Sequence, residues 1–288
     1  MVLKEKFPKS IIIEPTDACN LKCVYCPRRF MKEPVGFMDF DMFKNIIDEI
    51  RLFNEREIVL FHRGESLLHP EIMEMLWYVK GQGKVLIATN GTLLTKDISR
   101  ALVNSADFIS FSIDLPENFK TVRGGDYALV ESNIKYLTSI NEKSVVQVSM
   151  VQTDEVSDYD AQRFIDIWKD KVDRVRVYIE HSKDSHYGSV AGPDRPRQTC
   201  TKPFRQMVIE WDGKVRRCNH DWEGTLLGDV NNQSIIDVWN GKAYQSLRNE
   251  QNSLKIESEP CKSCGSWYEN EVDATSGKLY QKGAKVKK

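Results

Sequence analysis

From Ile11 to about Glu180, short apolar runs rich in β-branched residues alternate with segments of helical period. This is the pattern of repeated βα units around a parallel sheet. Six buried strands are expected, at 11–14, 58–61, 85–88, 108–113, 145–151 and 175–179. Between them, Phe43, Ile46, Ile47 and Ile50 share one helical face, as do Val130, Ile134 and Leu137, and Phe164, Ile165 and Trp168. These helices should cover the sheet. Six units are too few for a closed eight-stranded barrel, so the expected fold class is α/β, a partial (βα)6 TIM-like barrel open on one side. Its active site should lie at the strand C-terminal ends, where the βα loops gather.

After Glu180 the periodicity breaks, and residues 181–199, rich in Ser, Asp, Gly, Pro and Arg, read as a linker or a loop across the barrel mouth. Segments 207–211 and 214–217 flank Asp212-Gly213, a strong hairpin signal, and 235–247 reads as one helix carrying Ile236, Trp239 and Tyr244. The expected organisation is a barrel at 1–180, the linker at 181–199, a small β-hairpin plus helix domain at 200–268 and a tail at 269–288. The lysine-rich end of that tail, 277–288, is expected to be disordered.

Composition narrows the class. A hydrophobic content of 41% over 288 residues fills a core, and Lys+Arg 41 against Asp+Glu 42 leaves a formal net charge of -1. No global field recruits nucleic acid or an anionic membrane, so neither is an expected partner. No apolar run approaches the roughly 20 residues of a membrane helix, and no secretion signal is evident, which places the chain in the cytoplasm. Thiols stay reduced there, so the seven cysteines are not read as disulfides. They divide into a trio, Cys19, Cys23 and Cys26, and a quartet, Cys200, Cys218, Cys261 and Cys264.

The trio has C-x3-C-x2-C spacing directly after the first strand, within Glu14-Pro15-Thr16-Asp17-Ala18-Cys19-Asn20-Leu21-Lys22-Cys23-Val24-Tyr25-Cys26-Pro27. Such a loop can wrap three thiolates around one face of a 4Fe-4S cluster and leave one iron open. Spacing alone also allows a structural zinc loop. The stretch resembles the radical S-adenosylmethionine (SAM) superfamily, and further motifs strengthen the resemblance. His62-Arg63-Gly64-Glu65-Ser66-Leu67-Leu68-His69-Pro70 is similar to the family's GGEPLLHP motif, with Arg63 in place of a Gly and Ser66 in place of the Pro. Thr89-Asn90-Gly91-Thr92, Ser110-Phe111-Ser112-Ile113-Asp114 and Arg123-Gly124 follow in the family's order.

The resemblance implies that SAM chelates the open iron and is cleaved to a 5'-deoxyadenosyl radical. It also implies that Glu65, beside Gly64, holds the SAM amino group and that Tyr25 packs near the adenine. Asn90, Ser112, Asp114 and Arg123 then lie at the ribose and on the substrate side.

Four thiolates at the quartet's spacing suit zinc or an iron-sulfur cluster equally. Here too the surrounding residues carry a resemblance. Thr199-Cys200-Thr201-Lys202-Pro203-Phe204, Asp212-Gly213-Lys214-Val215-Arg216-Arg217-Cys218 and Ile236-Asp237-Val238-Trp239-Asn240-Gly241 look like the short "twitch" form of the SPASM domain. That form implies one auxiliary 4Fe-4S cluster, hence two clusters per chain, with an electron-transfer task if all four cysteines bind it.

Among twitch enzymes the chain resembles the aminocyclitol dehydrogenases of antibiotic biosynthesis, which implies oxidation of a small polar substrate. An external one-electron donor such as flavodoxin or ferredoxin is the implied partner. Candidate bases are Glu180 and His181 at the end of the sixth strand, His62 at the end of the second, and His220. Arg205, Arg63 and Gln152 are candidates for orienting substrate. The competing expectation is a maturase of ribosomally made peptides; only 18 residues precede Cys19, too few for a leader-recognition domain.

Overall fold

The computed structural model describes residues 6–32, 34–180, 196–222, 224–268 and 279–282. Six strands, β1 (Ser10–Ile13), β2 (Glu57–Val59), β3 (Lys84–Thr89), β4 (Phe108–Ser112), β5 (Val145–Gln152) and β6 (Arg174–Ile179), stand in chain order and pair in parallel. Helices α1 (Phe40–Ile50), α2 (Ile72–Val79), α3 (Lys96–Ser105), α4 (Phe119–Arg123), α5 (Tyr127–Ile140) and α6 (Asp158–Trp168) fill the crossovers. Helices α1, α3, α5 and α6 each start at a side chain that caps them. Asp39 accepts from Met42 N ahead of α1, and Ser157 forms a reciprocal capping box with Asp160 ahead of α6. The helix faces read from sequence are all buried, from Phe43 in α1 to Trp168 in α6.

Alternation along the strands separates two faces. Ile11, Ile13, Ile58, Val85, Ile109, Val148 and Val177 join the helices in the main core, while Ile12, Val59 and Val208 form a small cluster on the other, inner face. Towards β4, β5 and β6 that inner face turns polar, with Ser112, Ser149 and Arg176 in one register row. Among the described residues β1 and β6 do not pair, so the barrel is open.

The C-terminal hairpin continues the barrel sheet. Strand β7 (Gln206–Ile209) pairs in parallel with β1 on the side away from β2, and β8 (Lys214–Arg216) and β9 (Gly228–Asp229) follow antiparallel. Gly213, at φ 85°, makes the turn. Two expectations change here. Instead of one helix over 235–247 there are two, α8 (Ile235–Asn240) and α9 (Lys242–Ser253), after the four-residue α7 (Lys202–Arg205). Gly241 leaves helical space at ψ 164°, consistent with the weak helix preference of glycine. The break lets the Trp239 and Tyr244 rings meet at 4.7 Å beneath Arg248, whereas Ile236 stays exposed. Within the tail, β10 (Leu279–Gln281) is ordered as an antiparallel edge strand on β6. No described helix is long and apolar enough to cross a membrane.

Candidate active site and auxiliary cysteine site

The loop after β1 carries Cys19, Cys23 and Cys26, all partly buried. It is pinned at several points. Thr16 bridges Phe37, Val24 N donates to Val122 O at 2.9 Å, and Cys26 N donates to Cys23 O at 3.1 Å. Burial pushes all three thiols up, Cys23 to about 11, and the mutual repulsion of the trio adds to it; Arg28 and Arg123 pull the other way. Three partly buried thiols on one loop favour a bound cation that keeps them deprotonated.

Against this loop lies the turn after β2. A Cβ on Gly64 would sit 2.3 Å from Thr16 O and 2.5 Å from Ala18 O, so only glycine permits the approach, and Glu65 N donates to Ala18 O at 2.7 Å. The Glu65 carboxylate is buried at the strand ends, accepting from Thr89 Oγ1 at 2.8 Å, Asn90 N at 2.7 Å and Leu67 N at 3.2 Å. Burial raises its pKa against these three donors. Asn90 in turn donates to Asn20 Oδ1 at 2.9 Å, tying the third strand end to the residue after Cys19.

A second cluster of side chains supports Cys23. Arg123 Nε donates to Asp114 Oδ2, its guanidinium lies 5.4 Å from the Tyr25 ring centroid, and Tyr25 OH donates to Asp114 at 3.2 Å. Ser112 stands at the end of β4, partly buried.

Arg63, where the family motif has glycine, is buried and holds two carboxylates. Its Nη2 is 2.7 Å from Glu14 Oε2 and its Nη1 is 2.8 Å from Glu210 Oε1, and Arg216 Nε reaches Glu210 Oε2 at 2.9 Å. Burial pushes Glu14 up, but the Arg63 and His62 hydrogen bonds hold it well below the usual carboxylate range. For Glu210, burial prevails over both arginines and raises the carboxyl to about 7. His62 completes the group, with Nδ1 3.4 Å from Glu14 Oε1 and Nε2 3.3 Å from Asn219 O. Among the described residues, Glu14, His62 and Glu210 are the one set of three His, Cys, Asp or Glu ligand atoms all within 4.8 Å of one another. Arg63 and Arg216 already neutralise its carboxylates, so the set is an ion-pair network joining the barrel to the hairpin.

Cys200, Cys218, Cys261 and Cys264 line one pocket together with Lys202, Arg217 and Gln251. No three of the cysteine sulfurs lie within 4.8 Å of one another, whereas a tetrahedral zinc with bonds of about 2.3 Å holds sulfurs roughly 3.8 Å apart. Gln251 is fully buried with both amide atoms lacking a partner, while His220 N and Ser266 N point at Cys218 Sγ (3.4 Å) and Cys264 Sγ (3.3 Å). Buried donors converging on sulfur fit an iron-sulfur group.

The other sequence candidates divide. Glu180 stands one residue beyond β6, its N–H donating to Gln152 O at 2.9 Å; His181 lies outside the described residues. His220 belongs to the quartet's pocket, Nε2 3.1 Å from Lys202 Nζ, and not to the barrel-mouth set around His62. Gln152 spends its amide on Val156 O and Asp158. Arg205 is a correction: it is exposed at the start of β7, its carbonyl accepting from Lys9 N, at the end of the sheet remote from the strand C-termini. Glu210, just past β7, Arg216 in β8 and Gln251 in α9 were not singled out by sequence, since nothing local to them marks a buried partner. Glu14 carried one signal, a carboxylate closing a buried strand just before the cysteine loop.

Fold and cysteine geometry together define an α/β-barrel protein of the iron-sulfur class. The family model of the radical SAM superfamily matches residues 13–166, and that of the SPASM iron-sulfur cluster-binding domain matches residues 200–265. The chain belongs to the radical SAM superfamily and is a radical SAM enzyme with a SPASM region, which implies SAM and iron-sulfur clusters as cofactors. It is similar to a tungsten-containing aldehyde ferredoxin oxidoreductase cofactor-modifying protein of Pyrococcus furiosus, 25% identical over 83% of this chain and 83% of the relative. An AdoMet-dependent heme synthase of Methanosarcina barkeri is 22% identical over 86% of this chain and 87% of the relative. Among solved structures, BtrN in complex with AdoMet and 2-DOIA has a TM-score of 0.63 at 19% identity, covering 96% of this chain and 98% of BtrN. Streptococcus suis SuiB bound to S-adenosylmethionine has a TM-score of 0.70 at 17% identity, covering 90% of this chain and 71% of SuiB. At these identities the structural likeness speaks for the fold.

Proposed function

We propose that this chain is a radical SAM oxidoreductase that removes two hydrogens from a small polar, sugar- or cyclitol-like molecule, using two 4Fe-4S clusters. Cys19, Cys23 and Cys26 hold the first and Cys200, Cys218, Cys261 and Cys264 the second. When bound, the first cluster and SAM supply a 5'-deoxyadenosyl radical that takes a hydrogen atom, and the second cluster supplies an electron acceptor. Glu65 holds the SAM amino group, fixed in place by Thr89 and Asn90. Tyr25, backed by Asp114 and Arg123, packs beside the adenine, and Asn90 and Ser112 line the ribose and substrate side.

With those groups bound, substrate would lose one hydrogen as an atom to the deoxyadenosyl group and one as a proton to a side chain of this chain, and the electron left behind would go to the second cluster. SAM would be released as methionine and 5'-deoxyadenosine, with an external one-electron donor supplying the electron for its cleavage. Glu180, partly exposed one residue beyond β6, is the proton acceptor. The observation that carries this reading is the pocket of four cysteines. With seven cysteines committed in sets of three and four, none is left to return a hydrogen atom to a substrate radical, so oxidation is the simplest outlet.

A second reading, peptide modification, draws on the likeness to SuiB, which has been solved bound to its precursor peptide SuiA. Mass spectrometry of the compound accumulating in a deletion strain separates the two. We expect a small molecule that the anaerobic enzyme converts to a product two mass units lighter, with deuterium moving from the substrate carbon into 5'-deoxyadenosine. An accumulating peptide, or a product of unchanged mass, would reject the dehydrogenase reading.

A further inference from the structure

The C-terminal pocket holds more than four thiols. Arg197, Lys202 and Arg217 line it with the cysteines, and no carboxylate does so among the described residues. Arg197 Nε is buried without a hydrogen-bond partner, and Gln251, fully buried, has a free Nε2 donor. Lys202 Nζ lies 3.1 Å from His220 Nε2, and Arg217 is anchored by Ser258 Oγ at 2.8 Å, with Asp221 3.7 Å away. Three cationic side chains around four thiols, with unpartnered buried donors on Arg197 and Gln251, make up a surround for something strongly anionic.

We propose that Arg197, Lys202, Arg217 and Gln251 are positioning residues that raise the reduction potential of the C-terminal cluster and so fit it to receive the substrate's electron. The inference rests on the reading that the four cysteines hold a 4Fe-4S cluster. A cluster with four thiolates is anionic and becomes more so on accepting an electron. Cations and N–H donors at its sulfurs therefore stabilise the reduced form more than the oxidised one. The electron gained is the one the substrate radical releases along with its proton, so the balance needs no further oxidant in that step.

The test is an EPR-monitored redox titration of the anaerobic holoenzyme, following the cluster signal that survives replacement of Cys19, Cys23 and Cys26 by Ala. Arg217→Gln and Arg197→Gln should each shift the reduction equilibrium at least tenfold towards the oxidised form, about 59 mV for one electron. Gln251→Leu should shift it the same way, and Arg217→Lys, which keeps the charge, should restore most of the difference. If Arg217→Gln fails to load its cluster, Arg197→Gln, at the less buried of the two, decides in its place. Unmoved potentials with unchanged iron and sulfide overturn the tuning role alone. Absence of the surviving signal in the parent triple variant overturns the four-cysteine cluster reading, and this proposal with it.

Discussion

Arg63 Nη1 lies 2.8 Å from Glu210 Oε1, a buried contact that joins the end of the second barrel strand to the end of the seventh. Because the same guanidinium also holds Glu14, a single side chain ties the strand that feeds the cysteine trio to the hairpin that feeds the quartet. Arg63→Met should leave two buried carboxylates short of a partner and destabilise the fold by about 3–5 kcal/mol. Anaerobic urea denaturation checks this. A loss within about 0.5 kcal/mol, as for an ordinary surface change, would contradict it.

Glu210 makes the same network sensitive to pH. Its carboxyl is raised from 4.5 to about 7 because burial outweighs Arg63 and Arg216. An acid with a higher pKa in the folded than in the unfolded chain contributes stability that is fully present below about 4.5 and is lost as pH rises through about 7. Glu14 is shifted the opposite way, so its stabilisation stays in place throughout that window and fades only at lower pH. Wild type should lose about 2 kcal/mol relative to Glu210→Gln between pH 5 and pH 7.5. Parallel stability curves for the two proteins would contradict the assignment.

The barrel was legible because its strands are short, apolar and β-branched and several of its helices carry one apolar stripe, so period marks the six strands and the buried faces of α1, α5 and α6. Motif spacing likewise marked both cysteine sets. The hairpin's attachment was not legible: nothing local to Met207 or Val208 tells whether that strand pairs with β1 or folds apart. Arg63 was visible only as a departure from a motif. Its purpose depends on Glu210, 147 positions later in the chain, and long-range ion pairs leave no periodic trace. Gln251 was hidden for a similar reason, as a polar residue on a mostly polar helix that nonetheless turns inward.

Glu65 is expected to act through charge at the SAM site. Glu65→Gln keeps the shape and, with its oxygen in the Oε1 place, the bonds from Thr89 Oγ1 and Leu67 N, but it turns an NH2 group on Asn90 N and removes the negative charge offered to the SAM amino group. SAM affinity should fall at least tenfold, about 1.4 kcal/mol, while iron and sulfide contents remain those of wild type. Equilibrium dialysis with labelled SAM gives the answer, and unchanged affinity would remove Glu65 from the SAM site.

The central claim is that one chain carries two different clusters, an open one on the trio and a closed one on the quartet. EPR spectra of the reduced anaerobic protein, recorded with and without SAM beside iron and sulfide analysis, test it most directly. The account predicts about 8 iron and 8 sulfide per chain and two signals. Only the signal lost on replacing Cys19, Cys23 and Cys26 by Ala should change when SAM is added, and about half the iron should remain in that variant. Stoichiometric zinc with half the expected iron, or a SAM-induced change in the signal that survives the triple replacement, would contradict it.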